Sequence, residues 1–404
     1  MHQSEVFGVE LRRRRIAAGK SLMALSGDIH YSKGHISKIE TGMKQPTAQF
    51  ARLADTALDA DGALSKLVPV DSPDPASKDD PVVLRWDVPE LRVSRTAAEA
   101  VAEDDTTEQL LRTQFGTIRD MGKRLAPQLV IPALTAQLQA LQVVLSSARN
   151  PETRRRLGLL AARSVEYMGW MAQEAGMQEE AKKRTLQFAA LAVDAGDQGL
   201  ASYALVRLAE LAMYVGDAIS TVELAQRARQ DPHVDARIRG LALHRLAQGY
   251  AQRGEYSLCR AALDDAERAL DESSSEAGPG GPVLGSSTIA DLGAVVEGWC
   301  LYDLGRPAEA AELLERALSR AQPEARRARA LHGARLALAY EAAGELDRMC
   351  EAALQALEAA RPLGSATVRS QLSRLSWAVQ RRHNHRPARE LHVEIIAALH
   401  DDPV

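Results

Sequence analysis

The sequence predicts an all-α protein in two parts: an N-terminal bundle of about five helices, then a much longer helical-repeat solenoid. Three observations carry that expectation. The 404 residues are 46% hydrophobic but only 4% aromatic, and Ala, Leu, Arg and Glu dominate, a mix that favours close-packed helices over sheets. The stretch Ser21 to Pro46, SLMALSGDIHYSKGHISKIETGMKQP, reads as a helix, a tight turn and a second helix. Glycines at 176, 216, 254, 305 and 344 recur at spacings of 40, 38, 51 and 39. A chain this long holds two or three domains. The expected bounds are 1–68 for the bundle, 69–105 for a linker and 106–400 for the repeats.

In order, Val6 to Ala18 forms the first helix, with Val6, Val9, Leu11 and Ile16 as its apolar positions, the run Arg12 to Arg15 among them, and Gly19 as its stop. Leu22, Leu25 and Ile29 recur at helical spacing. His30 and Tyr31 make a turn, Ser32 caps the next helix, and Ile36 and Ile39 point inward before Gly42 ends it. Thr47 to Leu58 and Gly62 to Leu67 supply two more short helices. Residues 1–68 hold ten Lys or Arg against seven Asp or Glu, a local +3 in a chain whose net charge is −4. Any electrostatic footprint for nucleic acid therefore sits at this end.

The order Ser32, Lys33, Gly34, His35, Ile36, Ser37, Lys38, Ile39, Glu40, Thr41, Gly42, then Pro46, Phe50, Leu53, Ala54 and Leu58, resembles the repressor and Cro-like (XRE) helix-turn-helix family. The resemblance covers about the first 68 residues. It implies that the second helix of the motif enters a DNA major groove, whose width matches an α-helix. It also implies that an arginine of the first helix pairs with Glu40, without saying which of Arg12 to Arg15 does so. Leu22 stands where the family often has a phosphate-touching Gln, and His30 where the turn usually has Gly. With Ile36 and Ile39 buried, the opposite face carries Lys33, Gly34, Ser37, Lys38 and Thr41, with His35 at its flank. These are the expected groove residues, Ser37 and His35 for base edges, Lys33 and Lys38 for guanine or phosphate. Ser32, Lys44, Arg13 and Arg15 are the expected phosphate contacts.

Pro69 to Pro81, PVDSPDPASKDDP, has a linker composition, and Trp86 is a candidate anchor beyond it. In the repeats, the residue seven before each glycine is small: Gly169, Ala209, Ala247, Gly298, Ala337. Twelve after stand Phe188, Ala228, Ala266, Ala317 and Ala356. A helix thus ends in a glycine turn and a second helix returns, with small residues where the two cross. Ser273 to Ser287, rich in Gly, Pro and Ser, is an insertion that accounts for the longer gap. Helix pairs are also expected over Glu108–Leu125 with Leu129–Ser147, and over Leu372–Gln380 with Pro387–Leu399. The pattern resembles the tetratricopeptide repeat family, which implies that the first helix of each pair lines a concave groove where ligands lie.

Counting back thirteen, ten, six and three from each glycine gives one helical stripe. Trp170 and Trp299, two of only four tryptophans, both stand six before a glycine. The expected ligand-binding set is Trp170, Tyr203, Glu210, Tyr214, His244, Gln248, Trp299 and Tyr302, suited to a small molecule or a peptide. Asparagines that would clamp a peptide backbone are absent from the stripe, since the chain has only Asn150 and Asn384.

Other chemistry is weakly represented. His383, His385 and His392 form a C-terminal cluster beside the run RRHNHR, which reads as a solvated basic turn, GPGG lacks the residues of a phosphate loop, and Cys259, Cys300 and Cys350 are too scattered for a zinc site or a disulfide framework. No catalytic residues, cofactor or metal are expected. No run of about 18 apolar residues and no signal-peptide core stand out, so a cytoplasmic protein without a membrane partner is expected. The leading expectation is a sequence-specific DNA-binding transcription regulator, a homodimer on double-stranded DNA, whose repeats sense a small molecule or peptide or mediate dimerisation. The competing one is an adaptor whose repeats bind a protein partner while the small domain localises or dimerises it.

Overall fold

The computed structural model describes residues 3–29, 31–46, 48–58, 60, 63–64, 67, 105–276, 284–285, 291–322 and 325–400. Among the described residues the fold is all-α, with no strand. The chain separates into two compact units, Met1–Leu84 and Arg85–Val404. The expected turn residue His30, the helix start at Thr47, the helix start at Gly62, the linker up to residue 104 with Trp86, and most of the Gly, Pro and Ser insertion fall outside the described residues.

In the first unit α1 (Gln3–Ala17), α2 (Leu22–Ile29), α3 (Lys33–Glu40) and α4 (Ala48–Ala57) share one core of Phe7, Leu11, Leu25, Ile29, Ile36, Ile39, Phe50, Ala54 and Leu58. Ser21 opens α2 by accepting the Ala24 N–H at 3.1 Å, and Ser26 closes the turn by donating to the Tyr31 carbonyl at 2.6 Å. One expectation about α1 is corrected. Val9 and Ile16 are 62% and 60% exposed, while Phe7 and Leu11 are fully buried. The inward pair is i, i+4 and brackets Gly8, where α1 crosses the end of α3. A Cβ on Gly8 would stand 2.4 Å from the Ile39 carbonyl oxygen and 2.8 Å from that of Glu40. Only the missing side chain lets the helices approach this closely.

The second unit is a run of antiparallel helix pairs. It opens with α5 (Asp105–Gly122) and α6 (Pro127–Ser147) and continues with α7 (Pro151–Glu174) and α8 (Gln178–Asp194). Next come α9 (Gln198–Tyr214) with α10 (Ala218–Gln230) and α11 (Ala236–Gln252) with α12 (Tyr256–Glu276). The series ends in α13 (Leu292–Asp303) with α14 (Pro307–Ser319), α15 (Arg326–Ala343) with α16 (Leu346–Ala360), and α17 (Ala366–Gln380) with α18 (Arg386–His400). The five signature glycines all have φ between 74° and 82°, a left-handed turn that glycine adopts without strain. The small residues seven before them are the crossing points. Ala209, Ala247 and Ala337 are fully buried, and a Cβ on Gly298 would sit 2.7 Å from Leu314 Cγ. The residues twelve after, Phe188 to Ala356, are likewise buried.

Two details shape the interior of this unit. Glu174, the last residue of α7, accepts hydrogen bonds from Arg327 in the first turn of α15 and, at 2.6 Å, from Ser365, the N-cap of α17. Arg327 also donates to the carbonyls of Leu125 at 3.0 Å and Gly122 at 3.2 Å. A Cβ built on Gly176 would approach that of Ala366 to 3.3 Å. Early and late pairs of the series are thereby clasped together, which walls in the concave face. The insertion is also shorter than expected, since α12 runs on to Glu276. Leu284 is pinned to the repeats by Arg237, whose Nε and Nη2 donate to its carbonyl at 2.9 and 2.6 Å.

The sequence showed no obvious apolar span, yet α6 is long and apolar enough to cross a membrane by length and composition. One face of it packs into the fold while Leu129 lies 61% exposed. Val130, Leu134, Leu138 and Leu141 are buried, and Gln137 Nε2 donates to the Leu111 carbonyl at 3.0 Å.

Candidate functional site

The first candidate surface is α3. Ser32 holds an extended backbone (φ −62°, ψ 145°) and its Oγ accepts the His35 N–H at 3.3 Å, which starts the helix. Ile36 and Ile39 anchor one side in the core. Lys33, Gly34 and Lys38 lie exposed on the other and Ser37 is half-buried. A Cβ added to Gly34 would meet nothing within 4 Å. Lys33, Lys38 and Lys44 make no ion pair among the described residues. Thr41 caps the far end, its hydroxyl donating back to the Ser37 carbonyl at 2.9 Å.

The arginine run is divided between two tasks. Arg15 grips Glu40 through both carboxylate oxygens, Nε to Oε1 at 2.6 Å and Nη2 to Oε2 at 2.9 Å, and donates Nη1 to the Lys20 carbonyl at 2.9 Å. The two side chains are 11% and 6% exposed. Hydrogen bonding to Glu40 raises the Arg15 pKa above its already high ordinary value. This overturns Arg15 as a phosphate contact: all its donors face the protein, and it fixes the orientation of α3 instead. Arg13 is exposed but shares Glu10 with Arg14, and those hydrogen bonds, Arg13's first, hold the Glu10 carboxyl at about 2. Of the four, Arg12 makes no ion pair or hydrogen bond among the described residues. His35, expected at the flank of the groove-facing surface, is half-buried. Its ring packs edge-on to Tyr31 at 4.9 Å and stacks on Phe50 at 5.9 Å, so it belongs to the aromatic side of α3. Burial first, then Lys44 and Lys38, push its pKa down.

The second candidate is a cavity of about 220 Å³ in the repeat unit. Six of the eight residues expected in a ligand site line it: Trp170, Tyr203, Glu210, Tyr214, Gln248 and Trp299. His244 and Tyr302 do not. Their register does not account for it, since the ten-before residues Glu166, Val206 and Val295 and the three-before residue Gln173 do line the cavity. Tyr302, three before, turns to the next pair and lies within about 6 Å of the guanidinium groups of Arg335 and Arg374. His244, ten before, is sealed among the helices, and burial, then Arg245 and Arg237, take its pKa down to about 3.

The position nine before each glycine is the one the sequence stripe passed over. It holds Tyr167, Arg207, Arg245, Val296 and Arg335, and the first four line the cavity. Three arginines in five repeats at one register is a signal that the sequence carried. Arg207 pairs with Glu210 and donates to Gln173 Oε1 at 2.7 Å. Burial opposes the Arg207 charge, but Glu210, Tyr203 and Glu166 more than offset that cost and its pKa rises. Arg335 lies 3.9 Å over the Trp299 ring and 3.4 Å from Asp303. Burial lowers its pKa to about 10, so it stays charged at neutral pH. Tyr214 meets Trp299 edge-on at 5.6 Å.

Several polar atoms of this wall have no partner: both amide atoms of Gln248, Nε1 of Trp299 and Nδ1 of His332. Gln248 is 1% and Trp299 4% exposed. Leaving a buried donor or acceptor unmatched costs about 1–3 kcal/mol each. These groups all belong to residues that line one cavity, where a guest able to hydrogen-bond would offset that cost.

Comparison with known proteins gives the following. Residues 6–67 match the family described as helix-turn-helix domain, so the N-terminal unit carries a helix-turn-helix domain. No curated protein sequence matches the chain. Among solved structures, it is similar to Bacillus thuringiensis PlcR in complex with the peptide PapR7 and DNA, at 13% identity over 78% of this chain and 93% of that one, with a TM-score of 0.35. It is also similar to a Rap protein complexed with competence and sporulation factor, at 10% identity over 72% and 98%, with a TM-score of 0.37. Both likenesses are loose.

Proposed function

We propose that the chain is a sequence-specific DNA-binding transcription regulator whose helical-repeat unit senses an effector held in its cavity. The observation that carries the reading is the state of α3. Arg15 and Glu40 fix it from behind, while Lys33, Gly34, Ser37 and Lys38 are left on its outer face, within a segment that matches helix-turn-helix domains. Ser37 and Lys38 read base edges, Lys33 and Lys44 meet phosphates, and Gly34 lets the helix start approach the backbone. Arg12 joins the phosphate contacts in place of Arg15. The domain acts as a homodimer on half-sites about one helical turn apart, because one head with so little surplus charge binds weakly.

Selection of bound genomic fragments by the purified protein, followed by titration at several salt concentrations, tests this reading. The expected result is a defined sequence and an affinity that falls with salt at a slope of roughly −0.9 per neutralised phosphate. A flat salt response with no enriched sequence would remove DNA binding from the account and favour the adaptor.

A further inference from the structure

The cavity's chemistry specifies more than an unnamed effector. Its basic lining residues are Arg119, Lys123, Arg163, Arg207, Arg245 and Arg327, against Glu166, Glu174 and Glu210. Pairing accounts for much of the excess. Lys123 holds Asp120 at 2.7 Å, Arg163 reaches Glu166 at 3.9 Å, and Arg207 and Arg327 pair with Glu210 and Glu174. Arg245 is different. It makes no ion pair among the described residues, and its one polar contact is Nη1 to the Met213 sulfur at 3.8 Å, a weak acceptor. It is close enough to act electrostatically on Glu210, Tyr214, His244 and His332, which places its charge centrally in this wall.

Around that cation stand the unmatched donors and acceptors already described: the Gln248 amide, the Trp299 indole N–H and the His332 ring nitrogen. Part of the rest of the wall is apolar, with Val206, Leu241, Leu292, Val295 and Leu331. A guest that satisfies all three features carries negative charge, accepts hydrogen bonds, and has an apolar body. At about 220 Å³ the space lies below the roughly 300–1,000 Å³ of drug-sized sites. That favours a compact metabolite over a peptide laid along the groove.

We propose that the repeat cavity is a receptor for a small organic anion, whose charged head takes Arg245 and the Trp299 indole N–H while the Gln248 amide fixes its orientation. Buried guanidinium and uncharged N–H donors together form a strong recognition pair for an oxyanion, since charge-assisted hydrogen bonds gain strength away from water. The proposal rests on the effector-sensing reading, and its test separates the two.

The full-length protein is titrated by calorimetry and thermal shift with a panel of small aryl and alkyl carboxylates and phenyl phosphate, each carboxylate beside its neutral carboxamide. The expected result is that members of the anion set raise Tm and bind at least tenfold more tightly than their amides. Arg245→Met abolishes the preference. Gln248→Leu guards against a mere folding defect: it removes unmatched buried polar atoms at nearly constant volume, so the empty variant melts no lower than wild type while its anion affinity falls at least fivefold. Amides binding as well as the anions, no anion raising Tm, or variants binding like wild type would each overturn the proposal. If anions bind as stated but leave DNA affinity unchanged, the site stands and the sensing reading falls. If amides bind equally and shift DNA affinity, sensing stands and the anion assignment falls.

Discussion

The two candidate sites keep their charges in opposite ways. On α3 and just past its end, Lys33, Lys38 and Lys44, the side chains proposed to meet DNA, are exposed and make no ion pair among the described residues, which costs nothing in water. The charge that matters to the fold, Arg15 with Glu40, is the one hidden from solvent. In the repeat cavity the order is reversed: Arg207 with Glu210 and Arg327 with Glu174 hold the wall together, and the unmatched groups are buried beside them. An exposed lysine without a partner says little about function. A buried glutamine with neither amide atom matched carries a cost that a guest can remove.

That contrast can be broken at its most buried point. Glu174→Ala strips Arg327 and Ser365 of their shared acceptor and leaves a buried guanidinium. Removing one partner of a buried pair costs about 3–5 kcal/mol, so urea unfolding of the repeat unit should shift by that amount. A shift below about 1 kcal/mol would place the clasp in the class of solvated pairs. In the helix-turn-helix unit the comparable weak point is steric. Gly8→Ala forces a methyl against the Ile39 and Glu40 carbonyls, and overpacking of this kind costs about 1–3 kcal/mol. Its signature is a lower midpoint for the N-terminal transition with the repeat transition unchanged.

How much of this was legible in the sequence depended on whether a signal was local. The cap, the paired isoleucines and Gly42 lie within eleven residues, and α3 follows from them directly. The repeat glycines and the small residues seven before them also read through, because each encodes a contact within one helix pair. Arg15 as the partner of Glu40 did not, since four consecutive arginines share one spacing and only the crossing at Gly8 selects among them. The cavity was half legible. Trp170, Glu210, Gln248 and Trp299 share the position six before the glycine, and all line it, but the other positions of the stripe do so only in some repeats. It reached Tyr302 and His244 and missed Arg207 and Arg245 at nine. The clasp through Glu174 and Arg327 joins residues 153 apart, which no local pattern encodes.

A smaller effect sharpens the DNA side of the contrast. Gly34→Ala adds a methyl into open space on α3, so it should raise stability by about 0.5–1 kcal/mol through helix propensity. If the helix start approaches the DNA backbone as proposed, the same change lowers DNA affinity. Stability and binding then move in opposite directions, and a variant gaining in both would take Gly34 out of the interface.

The most direct measurement joins the two sites. Fluorescence anisotropy with a selected genomic fragment gives the DNA affinity of the full-length protein, with and without the low-molecular-mass fraction of cell extract, for wild type and Arg245→Met. Coupling between distinct sites typically changes affinity about 5–150-fold, and the expected result is a shift of that size in wild type and none in Arg245→Met. A wild-type affinity indifferent to the fraction, or an equal shift in both proteins, would contradict an effector acting through this cavity.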